Sequence, residues 1–313
     1  MISSTVREWY DAKHRITSAE EIELINSIRI KKCPNCGSTA FKRNGLYYSG
    51  IKRYYCHDCK SSFNTLTKTI FADKKIPITE WIEYLIHLFE FHSVTTSSRD
   101  NRNAASTGRY WLYKVFMVLK DYQNDIVLEG DVWLDETFFS VKKSDIKYKA
   151  DGSQYKGISR NKIAVACATD RSGKVVLICE YTSKPSSRST WEAMGSHIRE
   201  GSHLIHDGER SHSILINKLN LTSEVHDSRL IAKFKDKDNP LESINEIHAL
   251  AKRFMRAHGG YNRDNLQDFM NLISFILNKP NDRYDKIDRF INMALLSSVR
   301  VKYRDVMSIS VDK

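Results

Sequence analysis

Cys33-Pro-Asn-Cys36 and Cys56-His-Asp-Cys59 set four thiols in two C-x-x-C knuckles separated by nineteen residues. A C-x-x-C turn aims two thiolates at one centre, and two such turns complete the tetrahedral sulfur shell that Zn²⁺ prefers. The spacing reads as a zinc ribbon holding one structural Zn²⁺ per chain. Cysteines so placed also serve as disulfides or as a thioredoxin-like redox pair, but no βαβ pattern surrounds either knuckle and no secretory signal precedes them.

A second chemistry rests on carboxylates. Asp135 in Leu-Asp-Glu-Thr-Phe-Phe and Asp207 in Ile-His-Asp-Gly-Glu-Arg each stand where an apolar run closes. Two carboxylates meeting at neighbouring strand ends can bridge a pair of Mg²⁺ or Mn²⁺ ions about 3.5–4 Å apart, which act on both oxygens of a phosphodiester displacement. Either acid alone reads equally as a helix cap or a turn former. Asn245, His248 and Lys252 fall at i, i+3 and i+7 of an expected helix opening at Leu241, so they share one face. There Asn245 could complete a metal shell, His248 orient a phosphate or water, and Lys252 neutralise a phosphate. Spacing alone favours the plainer reading, an amphipathic helix with its polar positions in water.

The chain's charge names a partner class. Its 313 residues carry a formal net charge of +11, and residues 31–75 hold ten Lys/Arg against Asp58 and Asp73, which is +8 of that total. Clustered cations neutralise phosphates and release condensed counterions, so a polyanion is expected, with Lys42, Arg43, Lys52 and Arg53 as ribbon contacts to DNA. The segment 141–160 adds six Lys/Arg, Lys142 and Lys143 among them, and reads either as a loop gripping the DNA backbone or as a solvated hairpin. No apolar run approaches the roughly 20 residues of a spanning helix. The opening residues lack a signal peptide's apolar stretch, so the chain is expected in the cytoplasm and off the membrane.

These residues need elements to hold them. Ser18-Ala-Glu-Glu21 is a capping-box pattern before a short helix. Residues 45–55 read as a hairpin whose Tyr48 and Tyr54 are expected in the ribbon's small core rather than stacked on bases. Trp81, Leu85, Leu88 and Phe89 follow a helical period over 78–91 behind an N-cap at Thr79. The polar stretch 93–103 then leads to a second helix from Ala104. This pair reads either as a helix-turn-helix-like unit offering Arg102, Arg109 and Lys114 to DNA, or as a spacer with Trp111 and Phe116 inside.

From about Val127 strands and helices alternate. Strands are expected at 131–135, 163–169, 174–181, 202–207 and 224–226, with helices at 190–199, 211–219 and from 241. The first three strands form an antiparallel meander, and Cys167 and Cys179 are core thiols. This order is that of an RNase-H-like fold. The chain therefore divides into a helical lead-in (1–30), a zinc ribbon (31–75), a helical DNA-binding region (76–125), an α/β RNase-H-like catalytic domain (126–280) and a helical extension (281–313).

The ribbon, the Leu-Asp-Glu-Thr-Phe-Phe strand, Asp207 and the Asn-x-x-His-x-x-x-Lys helix together resemble bacterial insertion-sequence transposases of the DDE superfamily. The similarity is to the zinc-ribbon branch, with Asn at the third catalytic position and Lys seven residues on, and spans about 31–277. It implies that Asp135, Asp207 and Asn245 bind two catalytic Mg²⁺ or Mn²⁺ ions and that Lys252 contacts DNA. It also implies double-stranded DNA partners (element ends and target), a homodimer or higher oligomer, and a bacterial, nucleoid-associated setting. Relatives that keep an acid carry Glu at the third position, which makes Glu242, one turn earlier, the rival of Asn245. Glu246 is rotated off that face. A non-catalytic zinc-ribbon regulator and a nuclease of the same fold are the other functions these residues allow.

Overall fold

The computed structural model describes residues 18–306 apart from 73, 75, 158, 182, 232, 233, 236, 237, 260 and 305. They form two compact units. The first comprises the described residues up to Glu90, Val94–Val118 and those from Arg283 on; the second comprises Phe91–Ser93 and Leu119–Asp282.

In the first unit, helix α1 (Ser18–Ser27) precedes a three-stranded antiparallel sheet of β1 (Phe41–Leu46), β2 (Lys52–Cys56) and β3 (Ser62–Phe63). A domain this small has little apolar area to bury. Cys33, Cys56 and Phe63 form its core with Phe41 and Tyr54 against them, and the Tyr54 ring stacks on Phe63 at 5.6 Å. Tyr48 contradicts the expectation of burial. It lies at the β1–β2 hairpin tip, fully exposed, where no second layer reaches it.

Helices α2 (Ile78–Phe89), α3 (Val94–Asp100) and α4 (Ala105–Leu119) follow. Trp81, Leu85, Leu88 and Phe89 are buried as the period requires. Thr79 is not the cap: it sits inside the first turn behind Pro77, and the Ile78 amide is instead accepted by the Glu21 carboxylate at 3.1 Å. The polar stretch after 93 is mostly helix, a tertiary override of weak propensity. Its Ser98 packs so tightly on α4 that a Cβ at Gly108 would stand 1.8 Å from the Ser98 hydroxyl. Trp111 and Phe116 are inside, and Trp111 stacks on Trp81 at 4.4 Å. The helix Arg283–Leu296, numbered α10, returns to this unit, where Phe290 meets Phe89 edge to face.

The second unit is built on a five-stranded mixed sheet. Its strands are β4 (Asp131–Ser140), β5 (Lys162–Asp170), β6 (Val175–Cys179), β7 (His203–His206) and β8 (Thr222–Val225), in the order β6-β5-β4-β7-β8. The first three pair antiparallel, while β4–β7 and β7–β8 are parallel. Helices α5 (Ser187–Met194), α6 (Ser213–Lys218), α7 (Ser228–Ile231), α8 (Glu242–Ala257) and α9 (Leu266–Leu277) complete it, before α10 (Arg283–Leu296). Val132, Leu134, Ala166, Ala168 and Leu204 form one core face with Ala193, Met194 and Leu215. Helix α8 packs on β4 and β5, and α9 on β6. None of these helices is long and apolar enough to cross a membrane.

Two boundaries differ from expectation. β4 runs five residues past Asp135, because β5 continues to pair with it as far as Ser140↔Lys162. α5 starts earlier and stops at Met194, because Ser186 and Ser189 form a reciprocal capping box ahead of it.

β6 is an edge strand, and unpaired edges invite association. Here side chains close it. Gln123 accepts the Leu177 amide at 2.7 Å and donates to its carbonyl at 2.9 Å, Gln267 accepts the Cys179 amide at 2.7 Å, and Asn278 accepts the Val175 amide at 2.8 Å. Gln123→Ala strands the buried Leu177 amide and should cost about 1–3 kcal/mol in urea unfolding. Unchanged stability would contradict this account of the edge.

Candidate functional site

The cysteine cluster is local to the small three-stranded sheet of the first unit. Each knuckle closes back on its leading cysteine: Cys33 N–H donates to Ser38 O at 2.7 Å and Cys56 N–H to Ser61 O at 3.0 Å, and the fourth residue after each leading cysteine, Gly37 or Lys60, has a left-handed φ of 77° or 57°. The turns bring Cys33 Sγ to 3.7 Å from Cys59 Sγ and Cys36 Sγ to 3.6 Å from Cys56 Sγ. A disulfide needs about 2.05 Å. The edge of a sulfur tetrahedron around zinc, with Zn–S near 2.3 Å, is about 3.8 Å, so this donor set fits a closed four-thiolate zinc shell.

The acids meet through strand register. Parallel pairing of β4 with β7 ends at Leu134↔His206, so Asp135 and Asp207 are the next residues on adjacent strands, whose spacing is roughly 4.8 Å. Alternation puts Asp135 on the face of Trp133, whose indole N–H donates to Pro240 O at 2.9 Å and so fixes the start of α8 on that face. From α8, His248 Nδ1 comes to 3.8 Å from Asp135 Oδ2. Asp135 Oδ1 accepts the Glu136 amide, and Asp207 Oδ1 accepts the Glu209 amide, both within 2.9 Å.

Burial, the Asp207 charge and the Glu136 charge push the Asp135 carboxyl up to about 7. Burial, then the Lys252 charge, hold His248 down to about 4. A carboxyl whose ionisation burial and the neighbouring Asp207 charge oppose, beside a buried imidazole whose Nε2 has no hydrogen-bond partner among the described residues, makes a donor set whose chemistry suits divalent cations.

The other expected residues are distributed unevenly. On α8, Asn245 and Glu242 are half-buried, while Lys252 and Glu246 are exposed. Among the described residues α8 brings His248 against Asp135, and no hydrogen bond or ion pair joins Asn245, Glu242 or Lys252 to either acid. Lys42 and Arg43 are exposed on β1. Lys52 and Arg53 are half-buried, the first donating to Asn26 O and the second to Asn44 O, both at 2.8 Å. Arg109 is exposed on α4, but Lys114 is not available to DNA. It is 6% exposed, donates to Ile70 O and lies over the Tyr110 ring, because its position on α4 faces the core. Lys142 pairs with Asp264, and Lys143 is exposed.

Sequence reasoning passed over Glu136, His206 and His212. Glu136 shares its strand face with Val132 and Leu134, and an acid on an apolar face was the available signal.

Among solved structures the chain is similar to a pre-cleavage Mos1 transpososome, at 12% identity and a TM-score of 0.26, over 71% of this chain and 78% of that one. It is similar also to a Mos1 mariner paired-end complex with Mn (12%, TM-score 0.24, 68% and 76%) and to a Mos1 strand transfer complex (15%, TM-score 0.28, 73% and 64%). Likeness at these scores carries no argument by itself. No protein-family model and no curated protein matches the chain.

Asp135 binds its proton more tightly folded than unfolded, so its contribution to stability is present below about pH 4 and is lost as pH rises through about 7. In EDTA the loss should be on the order of 4 kcal/mol by pH 8. Asp135→Asn should flatten that slope and be the more stable protein at pH 8, as read by urea unfolding across pH. A variant as pH-sensitive as the parent, or less stable than it at pH 8, would contradict the geometry.

Proposed function

We propose that this chain is a DNA transposase of the DDE superfamily, zinc-ribbon branch, that binds the terminal inverted repeats of an insertion sequence and catalyses metal-dependent strand cleavage and strand transfer. The observation that carries the reading is the β4–β7 register, which sets Asp135 beside Asp207 on the face shared with His248. The four-thiolate cluster and the basic ribbon support it.

In this reading Asp135 and Asp207 hold Mg²⁺ or Mn²⁺. The bound ions would activate the attacking oxygen and stabilise the leaving oxygen of an in-line displacement. Asn245 is assigned as the third ligand by the family resemblance, and Lys252, exposed on α8, neutralises a phosphate beside the cut. His248 orients a phosphate or water against Asp135. Water breaks the phosphodiester at the element's end and leaves a 3′-hydroxyl. That hydroxyl then attacks a target phosphodiester, forming the new bond as the target's own 3′-oxygen departs. No protein nucleophile enters either step.

DNA is held by exposed cations: Lys42 and Arg43 on the ribbon, Arg109 on α4, and Lys143, Lys147, Lys149, Lys156 and Arg160 in the segment between β4 and β5. That segment is braced where Asn161 hydrogen-bonds the backbone N–H and C=O of Lys147 at 2.8 and 2.9 Å. Lys52 and Arg53 brace the hairpin and contribute less than the exposed pair. Joining two element ends calls for at least two copies of the chain.

The full-length protein should contain one zinc by metal analysis, and Cys56→Ala should lose it together with specific end binding. Full zinc content in that variant would refute the ribbon assignment. On a labelled end with Mg²⁺ or Mn²⁺, Asp207→Asn should lose at least a hundred-fold in cleavage and joining while binding DNA as before. Wild-type-like joining by that variant would defeat the proposal, and free ends without joined product from the parent protein would make it a nuclease.

A further inference from the structure

Behind the carboxylate pair, on the opposite face of the sheet, lies a buried polar chain that the reaction above does not use. Glu136 Oε1 is 2.9 Å from His212 Nε2, and His212 Nδ1 is 3.0 Å from His206 Nδ1. The Gly208 amide donates to that same His206 Nδ1 at 3.2 Å. His212 is 0% exposed and Glu136 8%. Glu180 is buried nearby, accepting from Ser189 Oγ at 2.6 Å.

The donor directions follow. His206 Nδ1 accepts from the Gly208 amide and so carries no proton, and its one lone pair is shared with His212 Nδ1. His212 Nδ1 must donate. His212 Nε2 then faces Glu136 Oε1, so the two histidines and the carboxylate form one continuous hydrogen-bonded chain. His206, Asp207 and His212 also stand close enough to share a metal, but the facing ring nitrogens are hydrogen-bonded to each other.

The chain ends where the backbone leaves β7. Gly208 has φ +89°, a conformation that side chains resist, and a Cβ there would also stand 2.9 Å from Val225 Cγ1. Asp207 sits between His206 and this turn, so whatever holds His206 Nδ1 and the Gly208 amide sets where its carboxylate points.

We propose that Glu136 and His212 are positioning residues for the carboxylate pair, a buried hydrogen-bonded pair that acts through His206 and the Gly208 amide to aim Asp207 at the divalent-metal site. The inference rests on the transposase reading only in taking Asp135 and Asp207 as ligands. Residues that orient metal ligands from behind typically change metal affinity by about 10–100-fold when altered.

The test uses the full-length protein and Mn²⁺ alone, with free Mn²⁺ followed by electron paramagnetic resonance and folding by thermal melting in EDTA. Removing one partner of a buried pair destabilises, whereas replacing both by apolar groups of similar size is often neutral. The decisive variant is therefore Glu136→Met with His212→Phe. A merely structural pair predicts that this variant melts and binds Mn²⁺ like the parent. Positioning predicts near-parental melting with the Mn²⁺ midpoint raised about ten-fold or more. Glu136→Gln, which keeps the side chain's shape, should raise the midpoint in the same direction. An unchanged midpoint in either folded variant overturns the proposal, as does failure of both to fold cooperatively, since the pair would then be structural. Asp207→Asn separates the two claims: if the parent's Mn²⁺ binding survives that change, the ligand assignment fails, whatever Glu136 does.

Discussion

One constraint governs the second unit: negative charge must be held at the end of the β4–β7 pairing, where water is largely excluded. Asp135 and Asp207 are adjacent by register, Glu136 follows on the other face, and Glu180 is buried close to it. Like charges in a low dielectric cost several kcal/mol, and a fold accepts that where it is offset locally or where a ligand will offset it. Here the two faces are treated differently. On the α5–α6 face Glu136 is matched by His212 at 2.9 Å. On the α8 face His248 stands 3.8 Å from Asp135, its protonation opposed by burial and the Lys252 charge, and among the described residues no Lys or Arg forms an ion pair with either carboxylate. That asymmetry is what a metal-binding face and a supporting face would each require.

The elements around the site follow from the same strand. β4 is central, antiparallel to β5 on one side and parallel to β7 on the other, and the pairing with β7 stops at Leu134↔His206, one residue short of Asp135. Trp133 pins the start of α8 on that side. α8 buries Ile244, Ile247, Ala251 and Phe254, a stripe that leaves His248 facing the sheet and Lys252 facing water. The three-stranded sheet of the first unit answers a different constraint. Its three-residue core is too small to stabilise a sheet alone, and four sulfurs 3.6–3.7 Å apart in opposed pairs are the cross-link that a metal would complete.

Much of this was legible in the residues. The C-x-x-C spacing predicts the cysteine cluster, and the order of apolar runs predicts the succession of strands and helices from β4 to α8, because both signals are local. What failed was tertiary. Tyr48 reads as core until the hairpin tip is seen to lie beyond any packing partner, and Lys114 reads as a surface cation until α4 is rotated by the burial of Trp111 and Phe116. The stretch after Ser93 is polar enough for a loop, yet packing through Gly108 makes it a helix. The Glu136–His212–His206 chain was hidden because its members come from three segments, and nothing in the spacing of 136, 206 and 212 announces a contact.

The account's central claim is that Asp135 and Asp207 form one divalent-metal site. Crystals of the full chain soaked in Mn²⁺, with diffraction collected at the manganese absorption edge, test it directly. The claim predicts anomalous density in contact with carboxylate oxygens of both Asp135 and Asp207, on the α8 face of the sheet. Manganese bound to neither acid, with the Asp135 and Asp207 side chains ordered and turned apart, would contradict it.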